Sequence, residues 1–147
     1  MASGESRCGH ARAARVGALE ITARWWYIEL VHDFKRLVVW QRAYALSCEL
    51  IPLSGRFVGP ARFALGDQIA RAAISVPSNI AEGAGRASAK DFRRFLTIAL
   101  GSSYELETQI MLARDLDLVP DSTATRYLVE LGEIQRMLHG LRSNARA

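Results

Sequence analysis

The chain is poor in the residues that build metal and redox sites. It has two cysteines in 147 residues, Cys8 and Cys48, at no spacing that resembles a zinc site or a disulfide framework. Free thiols in a reducing, cytoplasmic compartment are therefore expected. Its three histidines, His10, His32 and His139, are scattered, and no ExxH or HExxH pairing exists. Neither a di-iron site of the bundle type nor a zinc site is expected, and no other cofactor is called for. No apolar run is long enough to span a bilayer. The most apolar early stretch, VGALEITARWWYIELV, carries Glu20, Arg24 and Glu29, so no membrane partner is expected. The N-terminus also lacks the apolar block of a signal peptide.

Lysine is almost missing. Lys35 and Lys90 stand alone among 19 cationic residues, so arginine supplies nearly all of a net charge of +4. Arginine forks suit phosphate and carboxylate better than lysine does. The sequence pI near 9.5 is compatible with a nucleic-acid partner without requiring one.

What is present is helical periodicity. Half of the residues are hydrophobic and 23% are charged, the balance of a globular chain of one domain. The segment 1–31 opens with MASGESRCGHARAARVGA, which is small, polar and arginine-dotted; it is expected to be a disordered or weakly helical extension. Residues 32–143 are expected to form the folded domain. A first helix is expected from residue 33 or 34 to about residue 57, with Leu37, Trp40, Tyr44, Ser47, Leu50 and Ile51 as its buried stripe. GPA at 59–61 ends it, and Pro60 suits the first turn of the next helix.

The second helix places Leu65, Ile69, Ala72, Val76 and Ile80 on one face. The third opens on a capping box, Ser88 with Asp91, and carries Phe92, Phe95, Leu96, Ala99, Ser102, Leu106, Ile110 and Ala113. In the fourth, Ala124, Tyr127, Leu131, Ile134, Leu138 and Leu141 alternate steps of three and four, with Asp121 or Ser122 as its expected cap. No segment alternates like a strand. Four helices with short connections predict an all-α, antiparallel, up-down-up-down four-helix bundle.

The stretch SVPSNIAEGAGR, residues 75–86, poses the sharpest functional question. A phosphate loop fails on chemistry: Gly83-Ala84-Gly85 is only a GxG, no Gly-Lys-Ser/Thr follows, and a helix rather than a strand precedes. A kink and a turn account for most of it. Pro77 removes one backbone bond and is expected to kink the second helix without ending it. Gly83 suits a left-handed C-cap. Glu82 near a helix C-terminus faces an unfavourable dipole, so a partner among Arg71, Arg86 and Arg93 is expected. Asn79 and Ser102 are expected to meet across the second and third helices, and with Glu82 and Arg71 to form a structural network. Gly101, Ser102 and Ser103 form a small-residue patch that suits close helix approach.

DFKRLVVWQRAYAL (33–46), QIARAAISVPSNIAEGAGRASAKDFRRFLTIALGSSYELETQI (68–110) and LGEIQRMLHGL (131–141) resemble the four helix bundle protein family, also named 23S rRNA-intervening sequence protein. The resemblance implies a left-handed antiparallel bundle assembled as a ring, typically a homopentamer, with no established catalytic activity. A related branch, the accessory variability protein of diversity-generating retroelements, implies nucleic acid and a reverse transcriptase as partners. Members typically begin just before the DFKxLxVWQ element, so a start near Val31 is expected and the preceding residues read as a misassigned, dispensable start.

Three functions follow as expectations. The first is a nucleic-acid-binding assembly subunit that contacts RNA or DNA through Arg86, Lys90, Arg93 and Arg94 around the start of the third helix. The second is a protein–protein adaptor that uses apolar residues off the core stripe: Val38, Val39, Leu46, Leu100 and Leu112. An enzyme is the least supported, because Glu82, Glu105 and Glu107 have no nucleophile, base or metal spacing beside them.

Overall fold

The computed structural model describes residues 33–145. The expected N-terminal extension, with Cys8, His10 and the Trp25–Trp26 pair, lies outside the described residues, as does His32. Within them helices joined by short turns run from Phe34 to Asn144, and no strand occurs.

A single 3-10 turn, Phe34–Arg36, precedes α1 (Val38–Ser54). Leu37 is extended between the two, and Gln41 bridges the step by donating from Nε2 to the Lys35 carbonyl at 2.8 Å. The expected single helix to residue 57 is thus interrupted at its start and ends three residues early. Its buried face also differs from the expected one. Val39, Ala43, Leu46, Ser47 and Leu50 point inward, whereas Tyr44 and Ile51 are exposed and Trp40 is half-buried. Apolar residues cover two sides of this helix, so period alone does not select which side faces the bundle.

Gly59, at φ 61°, takes the left-handed turn that closes the first connection. Pro60 then opens a helical run that passes through a π-helical turn, Arg62–Gly66, into α2 (Asp67–Ala84). The expected face of α2 is buried at every position from Leu65 to Ile80. Pro77 is inside the helix and buried, and α2 continues for seven residues beyond it, as expected of a proline that does not end the helix.

The turn after α2 corrects the reading of Gly83. It is helical and buried, and the helix closes at Gly85 in the right-handed region, with the Gly85 and Arg86 N–H groups bonded back to the last turn. Gly83 is required for packing. A Cβ there would stand 2.7 Å from the Phe95 Cβ and 3.0 Å from the Phe92 ring, so α2 and α3 approach too closely for a methyl group.

The helix α3 (Ala89–Asp115) begins with the expected capping box: the Asp91 N–H donates to Ser88 Oγ at 3.0 Å, and that hydroxyl donates to Asp91 Oδ2 at 2.7 Å. It ends in a Schellman closure with Asp117, at φ 56°, in the usual glycine position. The Leu118 N–H donates to the Ala113 carbonyl at 2.8 Å and the Asp117 N–H to that of Arg114 at 3.0 Å.

The last helix, α4 (Asp121–Asn144), has Pro120 before it and no side-chain cap, which corrects the expectation that Asp121 or Ser122 would supply one. Its seam from Ala124 to Leu138 is buried, and Leu141 is partly so. Sequential helices pack antiparallel, and α4 packs back on α1, so a four-helix bundle encloses one core. Val39, Leu46 and Leu100, expected off the core, belong to it; Val38 and Leu112 are exposed.

Candidate nucleic-acid interface at one end of the bundle

Antiparallel packing brings the start of α1, the end of α2, the start of α3 and the end of α4 to one end of the molecule. Phe34 and Ala81 line one groove, which places the turn before α1 beside the last turn of α2. The charge on the two ends can be compared over the connections and the six terminal residues of each helix. This end carries eight cations, Lys35, Arg36, Arg42, Arg86, Lys90, Arg93, Arg94 and Arg142, against Asp33, Glu82 and Asp91. The opposite end is balanced, with five cations (Arg56, Arg62, Arg71, Arg114, Arg126) and five carboxylates (Glu49, Asp67, Asp115, Asp117, Asp121). The N-terminus of α3 adds the positive end of its dipole to the basic end.

The four cations singled out in the sequence do not share one environment. Arg86 pairs with Glu82 one turn earlier, and its guanidinium lies over the Phe95 ring at 5.0 Å from the centroid. Lys90, Arg93 and Arg94 are exposed, with no ion pair among the described residues. The topology adds Lys35, Arg36 and Arg142, which the sequence reading missed. They lie about 50 residues from the cluster in either direction, and only the up-down order of the helices could have joined them to it. Arg42 is committed elsewhere. Its guanidinium grips Glu130 of α4 in a two-pronged bond, 2.6 and 2.7 Å, and that hydrogen bond holds the Glu130 carboxyl below the usual carboxylate range while raising Arg42.

The expected network of Asn79, Glu82, Arg71 and Ser102 divides into separate parts. Asn79 does not reach Ser102. It donates from Nδ2 to the Ser75 carbonyl at 2.8 Å and to Ser75 Oγ at 3.0 Å, and Ser75 Oγ in turn meets Ser102 Oγ at 2.8 Å. Ser75 thus lies level with Ser102, and Asn79 lies one turn beyond. Glu82 and Arg86 form a half-exposed surface pair rather than a tie between helices. Arg71 is exposed on α2, with no ion pair among the described residues.

Gly101 does not serve close packing within the chain: a Cβ built on it meets nothing within 4 Å. The same is true of Gly132 and Gly140 in α4, although a glycine in a helix interior costs about 1 kcal/mol relative to alanine.

The candidate acids are structural in their contacts. Glu105 accepts from Gln109 at 3.0 Å, and Glu107 accepts from Gln135 of α4 at 2.8 Å. Among the described residues, no group of three or more His, Cys, Asp or Glu is placed to hold a metal ion, and no helix is long and apolar enough to cross a membrane.

A search of curated proteins finds none that matches. A family model described as 23S rRNA-intervening sequence protein matches residues 35–140, from the 3-10 turn before α1 to the last turns of α4. With α1 to α3 and all but the last four residues of α4 inside that match and packed as a bundle, the chain belongs to the 23S rRNA-intervening sequence protein family.

Proposed function

We propose that the protein is a non-enzymatic bundle subunit that assembles with its own copies, as the homopentamer the family resemblance implies, and binds RNA or DNA phosphates at its basic end. One observation carries this reading. The fold gathers Lys35, Arg36, Lys90, Arg93, Arg94 and Arg142 at one end without carboxylate partners among the described residues, while the other end is charge-balanced. Unpaired guanidinium groups beside a helix N-terminus suit a phosphate backbone, and repetition of the patch in an assembly multiplies weak contacts.

The test is fluorescence anisotropy with a labelled RNA and a DNA of matching sequence over a salt series. Affinity should fall steeply and linearly on a log–log plot, with a slope of about −0.9 per phosphate contacted on duplex DNA. Changing both Arg93→Glu and Arg94→Glu should weaken binding at least tenfold and flatten that slope by about two, with the helical signal intact. Arg56→Glu with Arg62→Glu, at the balanced end, should leave both nearly unchanged. Equal affinity for the wild type and the Arg93/Arg94 variant would reject this end as the binding surface.

A further inference from the structure

A histidine lies within the basic end and is tied to one of its cations. His139, in the last turns of α4, is exposed and stands between two partners. Tyr104 of α3 brings its hydroxyl to His139 Nε2 at 2.9 Å. Arg142, one turn farther along α4, brings a guanidinium nitrogen to His139 Nδ1 at 3.3 Å.

These two contacts define the state of the ring. A guanidinium has donors only, so Nδ1 accepts and carries no proton. The single proton of the neutral imidazole then sits on Nε2, which donates it to the Tyr104 oxygen. A second proton would go to Nδ1, the atom that faces Arg142. It would remove the acceptor and set two cations against each other. Imidazole is the side chain whose ordinary titration falls between about pH 5 and 8.

The neighbouring charges do not neutralise that proton. On α3, Glu107 lies one turn from Tyr104 but accepts from Gln135 at 2.8 Å. On α4, Arg136 pairs with Glu133. From the side of α1, Asp33, Lys35 and Arg36 share this end of the bundle. Among the described residues, neither His139 nor Arg142 has an ion pair with a carboxylate.

We propose that His139 is a proton-operated switch on the phosphate-binding end: neutral, it holds Arg142 back along α4; protonated, it releases Arg142 and adds its own charge, so phosphates are bound more tightly as pH falls. This rests on the reading of that end given above and names how it is regulated. The coupling is reciprocal, so a phosphate backbone on this end favours the protonated ring.

The experiment repeats the anisotropy salt series with the same labelled RNA and DNA at about pH 8 and pH 5.5. Wild-type affinity should rise about fivefold on acidification, and the log–log slope should steepen by about one to two, for the two cations gained. His139→Gln keeps an acceptor for Arg142 but takes no proton, so it should stay at its alkaline affinity. His139→Arg should bind at pH 8 as tightly as the wild type does at pH 5.5. Both replace an exposed side chain, and circular dichroism should show unchanged helicity. Imidazole nitrogen NMR reads the ring without any nucleic acid. The signal that disappears in His139→Gln should report the Nε2–H tautomer at pH 8, and an Nδ1–H ring would overturn the switch. A wild-type affinity that ignores pH, or a rise that persists in His139→Gln, would also overturn it while leaving the phosphate surface in place. Binding that ignores salt at both pH values would reject the phosphate surface itself, and the switch with it.

Discussion

The α2–α3 seam and the α1–α4 seam close opposite sides of this bundle by different means. In the first, the backbones come so near that Gly83 has no room for a Cβ against Phe95, and the polar contact across it is a short serine–serine bond between Ser75 and Ser102. In the second, a surface recess of about 450 Å³ separates the helices and is spanned by long side chains, Arg42 to Glu130 and Arg126 to Glu49. The difference follows from the reach of the forces. Dispersion falls off within an ångström of contact, so a close seam tolerates no added atom and is indifferent to salt. Charge pairs act over a longer distance, so a looser seam tolerates substitution but answers to pH and ionic strength.

The largest test of this contrast is Gly83→Ala. It should lower unfolding stability by about 2 kcal/mol, an overpacking cost partly offset by better helix propensity. The loss should be the same at low and high salt, measured by urea denaturation. A variant as stable as the wild type would mean that the seam has slack.

Next is Glu130→Gln, which removes the charge from the two-pronged bond. Both side chains keep about a third of their surface in water (31% and 33%), so the expected loss is only about 0.5–1 kcal/mol. This loss should shrink in high salt. It should also depend on pH in one direction. The folded protein holds Glu130 below its unfolded value, so the pair's contribution is fully present above the unfolded value of about 4.3 and disappears as pH falls through the lower folded value. Wild type and Glu130→Gln should therefore converge in acid, whereas wild type and Gly83→Ala should not.

The smallest effect is expected from Glu49→Gln. Its partner Arg126 is largely exposed and also lies over the Tyr127 ring at 4.5 Å, so the melting temperature should move less than for Glu130→Gln. A larger shift would make the outer pair the true clasp of the α1–α4 seam.

Much of this was legible before any coordinates. The capping box at Ser88, the stripe of α2 from Leu65 to Ile80 and the seam of α4 are local patterns, set by hydrogen-bond geometry and a repeat of 3.6 residues. Trp40, Tyr44 and Ile51 misled because large apolar side chains suggest a core wherever they recur, and α1 carries such residues on its outer side as well. Gly83 and Gly101 misled in opposite directions. As letters they are alike, but one presses on Phe95 and the other on nothing.

The basic end shows the same division. Arg86, Lys90, Arg93 and Arg94 are close in sequence and were visible as a cluster, whereas Lys35, Arg36 and Arg142 joined them only through the course of the chain.

By itself, then, the sequence determined that four helices form, roughly where they lie, that they pair antiparallel, and which family the chain resembles, because turns and periodicity act between residues a few positions apart. Tertiary structure alone decided which side of α1 is inside, which glycine is a packing requirement, and which distant cations share a surface. Those are properties of neighbours. An apolar side chain leaves water, a methyl group clashes and a charge finds or lacks a partner according to what the opposite helix presents, and no local pattern contains that.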